Sequence, residues 1–178
     1  MKTINNWNEV KESGNSEFKR LPAGGYVCRI TKVTDVPASE YLKIEYDVVE
    51  GEFKNWWADT EERAGFWGGH FVRSYKDSAA GFFKGFISAV EKSNPGFEWA
   101  WDENSLCGKL VGLVLNEEEY RKNSGEIGTR LNVAKNLDVA AIRAGDFTVP
   151  EKKTLPVVNN PFANTSFAEI TDADIPWA

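Results

Sequence analysis

The sequence predicts a mainly β fold with one helix, a five-stranded Greek-key barrel followed by a disordered C-terminal tail. Three observations carry this. Two early segments alternate apolar and polar residues with the period of a half-buried strand, and a middle segment switches to three- and four-residue spacing. Beyond position 150 both patterns stop, and Pro, Asn and charged residues take over.

Residues 1–20 are polar and aperiodic apart from Trp7 and Val10, so they read as an N-terminal arm or a short helix packed on the domain. Regular structure starts after Pro22-Ala23-Gly24-Gly25, where Tyr26, Cys28 and Ile30 alternate with Val27, Arg29 and Thr31. Residues 37–40 form a turn. Leu42, Ile44, Tyr46 and Val48 then alternate with Lys43, Glu45 and Asp47, and Glu50-Gly51-Glu52 turns the chain again, so the first two strands form a meander. Residues 53–75 are rich in aromatics and interrupted by Gly65, Gly68 and Gly69, which predicts strand segments around a long loop.

Phe82, Phe83, Phe86, Ile87, Ala89 and Val90 then recur at helical spacing, with Asp77 or Ser78 as the cap and Asn94-Pro95-Gly96 as the stop. The four residues Phe82, Phe83, Phe86 and Ile87 are expected in the core. Residues 110–115 read as a buried strand and residues 117–128 as a polar loop. Residues 129–139 read as a strand with Leu131 and Val133 on one face, and residues 140–145 as a closing helical turn. A helix between the third and fourth of five strands is the order of the oligonucleotide-binding (OB) barrel, so the domain at residues 21–150 is expected to be OB-like, with a flexible acidic tail at 151–178.

The 178 residues suffice for one domain with its own core plus a tail, and 42% are hydrophobic. No apolar run approaches the length of a membrane span and no signal-peptide core follows Met1, so a soluble, cytoplasmic chain with no membrane partner is expected. Only Cys28 and Cys107 occur, which argues against a disulfide framework and for buried, reduced thiols. With His70 the sole histidine, structural zinc lacks ligands, His70 reads as structural or incidental, and no cofactor motif is present.

The formal net charge of −6 opposes phosphate binding as a sum, but the charge is unevenly placed. Residues 63–92 hold five cations (Arg63, Arg73, Lys76, Lys84, Lys92) against Asp77 and Glu91. Residues 121–143 hold five more (Arg121, Lys122, Arg130, Lys135, Arg143) against Glu126 and Asp138. Of 23 aromatics, 13 lie in residues 53–101, more than one small barrel readily buries. Exposed rings beside cations suit single-stranded nucleic acid, because bases stack on rings whatever their sequence while Lys and Arg follow the phosphates.

The candidate stacking and phosphate residues are therefore Trp56, Trp57, Arg63, Trp67, Phe71, Arg73, Tyr75 and Lys76. If residues 67–75 are extended, Trp67, Phe71, Arg73 and Tyr75 share one face, either a groove or, for Trp67 and Phe71, the barrel interior. Trp99 and Trp101 share one side of a strand, in the core or on the surface. In an OB barrel, loops 37–40 and 117–128 would grip the strand. The second supplies Tyr120, Arg121 and Lys122, with Glu117-Glu118-Glu119 opposing them unless those acids turn away. Arg130 and Asn132 fall opposite Leu131 and Val133, which aims Arg130 at the groove.

The chain ends Asp172-Ala173-Asp174-Ile175-Pro176-Trp177-Ala178. Pro176 holds Ile175 extended, so two apolar side chains can enter separate pockets while the carboxylates meet a basic rim. This segment resembles the acidic, aromatic-ended tail of bacterial and phage single-stranded-DNA-binding proteins, with Trp177 in place of Phe and Ala178 beyond it. Four further stretches carry a second resemblance: Phe18-Lys19-Arg20-Leu21-Pro22-Ala23-Gly24-Gly25-Tyr26, Val48-Val49-Glu50-Gly51-Glu52-Phe53, Gly108-Lys109-Leu110-Val111-Gly112 and Ile142-Arg143-Ala144-Gly145. Together they look like a family of small phage proteins that bind single-stranded DNA in replication and recombination.

The resemblance implies a non-catalytic DNA-coating protein, with a homo-oligomer compatible. Its tail, through Asp172, Asp174, Ile175, Pro176 and Trp177, would recruit replication or repair proteins. Two other classes are weighed beside it. A carbohydrate-binding β-domain also uses exposed Trp and Tyr but leaves the tail and the local cations idle. A metal-dependent nuclease would rest on Asp59, Glu61 and Glu62 alone.

Overall fold

The computed structural model describes residues 20–156. The arm at residues 1–19 and the tail residues Asp172, Asp174, Ile175, Pro176 and Trp177 lie outside the described residues. The fold is mainly β: the described residues form one open antiparallel sheet of five strands, with three helices where the sequence predicts one. In chain order the elements are β1 (Gly24–Val36), β2 (Tyr41–Val48), α1 (Trp56–Ala64), β3 (His70–Ser74), α2 (Ala80–Ser93), β4 (Leu110–Arg121), β5 (Ile127–Leu137) and α3 (Val139–Ala144). The strand order is β3-β2-β1-β4-β5, in which the fourth strand returns beside the first, as in a Greek key.

The two alternating segments pair as the meander the pattern predicts, with Cys28 opposite Val48 and Ile30 opposite Tyr46. Between them a 3-10 turn, Pro37–Ser39, ends on Glu40 in the left-handed region at φ 55°. The inner face carries Ile30, Val33, Leu42, Ile44, Val48, Val111, Leu113 and Leu115, all buried. Helix α2 lies across it with Phe83, Phe86, Ile87 and Val90, a single stripe at i, i+3, i+4 and i+7. Phe82 is one residue out of phase with that stripe and is 80% exposed, so it is a surface residue and not core. Neither Asp77 nor Ser78 caps the helix; a 3-10 turn, Asp77–Ala79, leads into it.

On the opposite face of β1 and β4, Val27 and Val114 pack with Val139 and Ile142. Gly112 allows this, because a Cβ there would meet Ile142 and the carbonyls of Leu137 and Asp138. Covered on both faces, β4 is buried from Val111 to Asn116, which explains its continuous apolar run. Asp138 caps α3 by accepting from Ala141 N–H at 2.9 Å, and Gly145 closes it at φ 72°.

Three expectations are corrected. Residues 56–64 form α1 and not strand or loop: Asp47, distant in sequence, receives the backbone N–H groups of Trp57 at 2.9 Å and Ala58 at 3.1 Å, which supplies the missing helix start. Residues 117–128 are not a polar loop but the end of a hairpin whose strands stay paired from Gly112–Leu137 to Arg121–Ile127. The turn closes through Lys122 N–H to Glu126 O at 2.8 Å and Gly125 at φ 87°. Finally, the predicted tail does not begin at 151. Because β4 outruns β1 beyond Leu115, its backbone is open there, and Lys153 fills it by accepting from Glu119 N–H at 2.8 Å and donating to Glu117 O at 2.9 Å. Cys107 is exposed, whereas Cys28 is buried; both are free thiols. Among the described residues no helix is long and apolar enough to cross a membrane.

Candidate nucleic-acid interface

The twelve candidate residues separate into three groups and one single residue. On β3 the side-chain parity decides: Phe71 stands opposite Ile44 and Arg73 opposite Leu42, both core residues of β2. Phe71 is accordingly in the core, 6% exposed, in edge-to-face contact with Phe86. Its ring is not available to a base, which corrects its assignment to a stacking surface. Arg73 also turns inward. Its guanidinium sits 4.7 Å from the Phe71 ring and donates to Asn136 Oδ1 at 2.8 Å, and burial pulls its pKa down to about 10. Tyr75 packs edge-on to Phe83 and donates its hydroxyl to Asp35 at 2.9 Å. Lys76, just beyond the strand, is exposed.

A second group surrounds α1. Trp56 packs edge-on to Phe53, with the Arg63 guanidinium 5.7 Å from its ring. Trp57 stands edge-on to Tyr46 and lies over Gly68 and Gly69, neither of which has room for a Cβ. Trp67 is half-buried and donates its indole N–H to Gly69 O at 2.9 Å. Trp56 and Trp57 therefore pack α1 against the border of the main core at Tyr46, and each of the three indoles keeps part of its surface in water.

The third group is brought together most closely. In the β4–β5 hairpin Tyr120 stands opposite Gly128, and its ring covers that glycine. The Arg130 guanidinium lies 5.4 Å from the same ring, and Arg121 and Lys122 follow at the exposed tip. Of the three acids at 117–119, Glu118 pairs with Arg130 at 3.3 Å and Glu119 with Lys152 at 2.9 Å, and Glu126 in the turn pairs with Lys122 at 3.3 Å. The Lys152 contact holds the Glu119 carboxyl below its ordinary pKa, aided by the Leu155 N–H. Such exposed pairs are weak, so a phosphate can exchange for the carboxylate at low cost.

The outer sheet face holds residues the sequence reading did not single out. Lys32, Glu45 and His70 form one row across β1, β2 and β3, and Thr34, Lys43 and Val72 the next. The signal was present, because the core parity of β2 places Lys43 outward. On β3, however, Phe71 and Val72 put one apolar residue on each face and leave the parity undecided. Lys43 lies 3.6 Å from Glu45. Asp59, Glu61 and Glu62 lie on α1, and among the described residues no three acids, histidines or cysteines come together to share an ion. No protein-family model matches the chain, and no curated protein matches it.

Proposed function

We propose that this chain is a sequence-tolerant single-stranded-DNA-binding protein of the kind phages use in replication and recombination, built on an OB-like barrel. The observation that carries the reading is the β4–β5 hairpin: Tyr120 backed by Gly128 and Arg130, with Arg121 and Lys122 beside it, combines a stacking ring with phosphate ligands. Two features support the barrel. The helix α2 lies between the third and fourth strands, and the Arg73–Asn136 hydrogen bond spans the outer strands β3 and β5. DNA would run along the outer faces of β1 to β3, past Lys32 and Lys43, to the hairpin. The tail through Asp172, Asp174, Ile175, Pro176 and Trp177 recruits replication or repair proteins, and the protein acts without catalysis.

A titration with oligo(dT) and with duplex DNA at two salt concentrations tests this. Single strands bind more tightly, and binding weakens with salt. A preference for duplex, or no binding of oligo(dT) at low salt, overturns the reading. The tail, by the same charge logic, competes with phosphate: removing residues 172–178 tightens binding at low salt, and unchanged affinity removes that role.

A further inference from the structure

An acid-rimmed aromatic cleft lies at the far end of β1. Its floor is Leu42, and its walls are Tyr75, Phe83, Trp99 and Trp101, with Asp35 and Glu103 at the rim. The rings form a continuous series: Tyr75 to Phe83 at 6.1 Å, Phe83 to Trp99 at 5.3 Å and Trp99 to Trp101 at 4.7 Å between centroids. Trp99 is anchored, since its backbone N–H donates to Glu91 at 3.0 Å and its indole N–H to Asp102 O at 3.2 Å. Trp101 is 81% exposed and adopts φ 63°, a conformation that bulky residues rarely take. Among the described residues no Lys or Arg lines the cleft.

We propose that this cleft binds an arginine side chain presented by a partner protein. Ring faces attract a cation, and carboxylates at their edge complete its charge and its hydrogen bonds. A guanidinium suits the site better than an ammonium, because its plane stacks on Trp while its edge meets Asp35 or Glu103. The same carboxylates repel a DNA phosphate. The volume, about 240 Å³, lies below the range of roughly 300–1,000 Å³ that whole small-molecule ligands occupy, and so matches one side chain. The local field is negative: burial first, then the Asp35 hydrogen bond and the charges of Asp35, Glu40 and Glu103, push the Tyr75 hydroxyl pKa up.

The test titrates acetyl-Gly-Arg-Gly-amide into the full chain, followed by tryptophan fluorescence and the indole N–H signals in NMR spectra. Saturable binding is expected, about fivefold or more tighter than for the citrulline peptide, which keeps the shape and loses the charge. Free L-arginine binds more weakly, because its α-carboxylate faces Asp35 and Glu103. Trp101→Ala and Asp35→Asn each weaken the arginine peptide about fivefold while leaving the unfolding midpoint in place, since both side chains are exposed. Equal binding of the citrulline peptide, tighter binding of free L-arginine, or no effect of the two variants overturns the proposal. So does a response of the Trp99 and Trp101 signals to oligo(dT) or a glucan oligosaccharide without any response to the arginine peptide.

Discussion

Arg73 on β3 donates from Nη2 to Oδ1 of Asn136 on β5 at 2.8 Å, a hydrogen bond between residues 63 positions apart that links the two edge strands of the sheet. The guanidinium has paid for its place in desolvation, since burial depresses its pKa to about 10 and its Nε has no partner among the described residues. What remains favourable is the stacking on Phe71, this hydrogen bond and a second from Nη1 to Val72 O at 2.9 Å.

Removing the acceptor is therefore worse than removing the charge. Asn136→Ala should cost about 1.5–3 kcal/mol, the usual range for a hydrogen bond to a charged group, because it leaves the half-buried Nη2 without its acceptor. Arg73→Met keeps the packing on Phe71, removes the charge and should cost less. Urea unfolding of both variants checks the order. Oligo(dT) affinity should stay the same in Arg73→Met, as the side chain faces inward; a loss of affinity at full stability would put Arg73 back in the groove.

Asp47 organises α1 from outside it. Its Oδ1 accepts the N–H of Val48 at 2.8 Å and of Trp57 at 2.9 Å, and its Oδ2 accepts that of Ala58 at 3.1 Å. Asp47→Ala should destabilise the chain by about 2–4 kcal/mol, through orphaned amides and the loss of a negative charge at the helix start. Asp47→Asn retains one acceptor and should cost about half as much. Amide hydrogen exchange at Trp57 and Ala58 gives the local check: protection lost there first, while β4 amides hold, locates the damage in α1.

These two aspartate and arginine contacts mark the limit of what the sequence discloses. The first two strands, α2, the buried strand at Leu110 and the closing turn α3 follow from periodicity and from Asn94 and Gly145 as stops, all local signals. Helix α1 starts on Asp47, which local pattern had already assigned to a strand, and its two tryptophans resemble strand residues as much as helix residues. The hairpin at residues 117–128 looked like a loop because its polarity is satisfied across strands, Glu118 to Arg130 and Lys122 to Glu126. For the candidate site, Tyr120, Arg121 and Lys122 were legible as neighbours and Arg130 as a separate strand residue facing away from Leu131 and Val133, whereas the parity of β3 was not. The sequence places Arg73 and Phe71 together but does not say which side of the sheet they take; only pairing with β2 decides.

Alkaline stability should depend on Cys28. Burial, then the charge of Asp47, holds its thiol well above its ordinary value, and burial likewise lifts Tyr26 to about 12. In the unfolded chain the thiol ionises near pH 8.5, so above that pH the folded state binds more protons than the unfolded state. The stability contributed by the neutral thiol is fully present below about pH 8.5 and is lost as pH rises toward its folded pKa. Unfolding midpoints of wild type and Cys28→Ala, measured between pH 7.5 and 10, should therefore converge as pH rises. Curves that stay parallel across this interval would contradict the buried neutral thiol.

The hairpin prediction separates stacking from charge. Tyr120→Ala removes a ring worth about 1–3 kcal/mol per stacked base, so oligo(dT) affinity should fall roughly five- to 150-fold with an unchanged salt dependence. Lys122→Gln and Arg121→Gln each remove one phosphate ligand, so each should lower the slope of log affinity against log salt by about 0.7, the value for one contact on a single strand. Glu118→Gln is the informative control: it frees Arg130 from its carboxylate at 3.3 Å and should tighten binding, because phosphate then no longer competes with Glu118 for the guanidinium. Fluorescence titrations at three salt concentrations resolve all four variants. If the glutamine variants shift affinity without changing the slope, phosphate is not what these cations contact, and the DNA path must leave the hairpin.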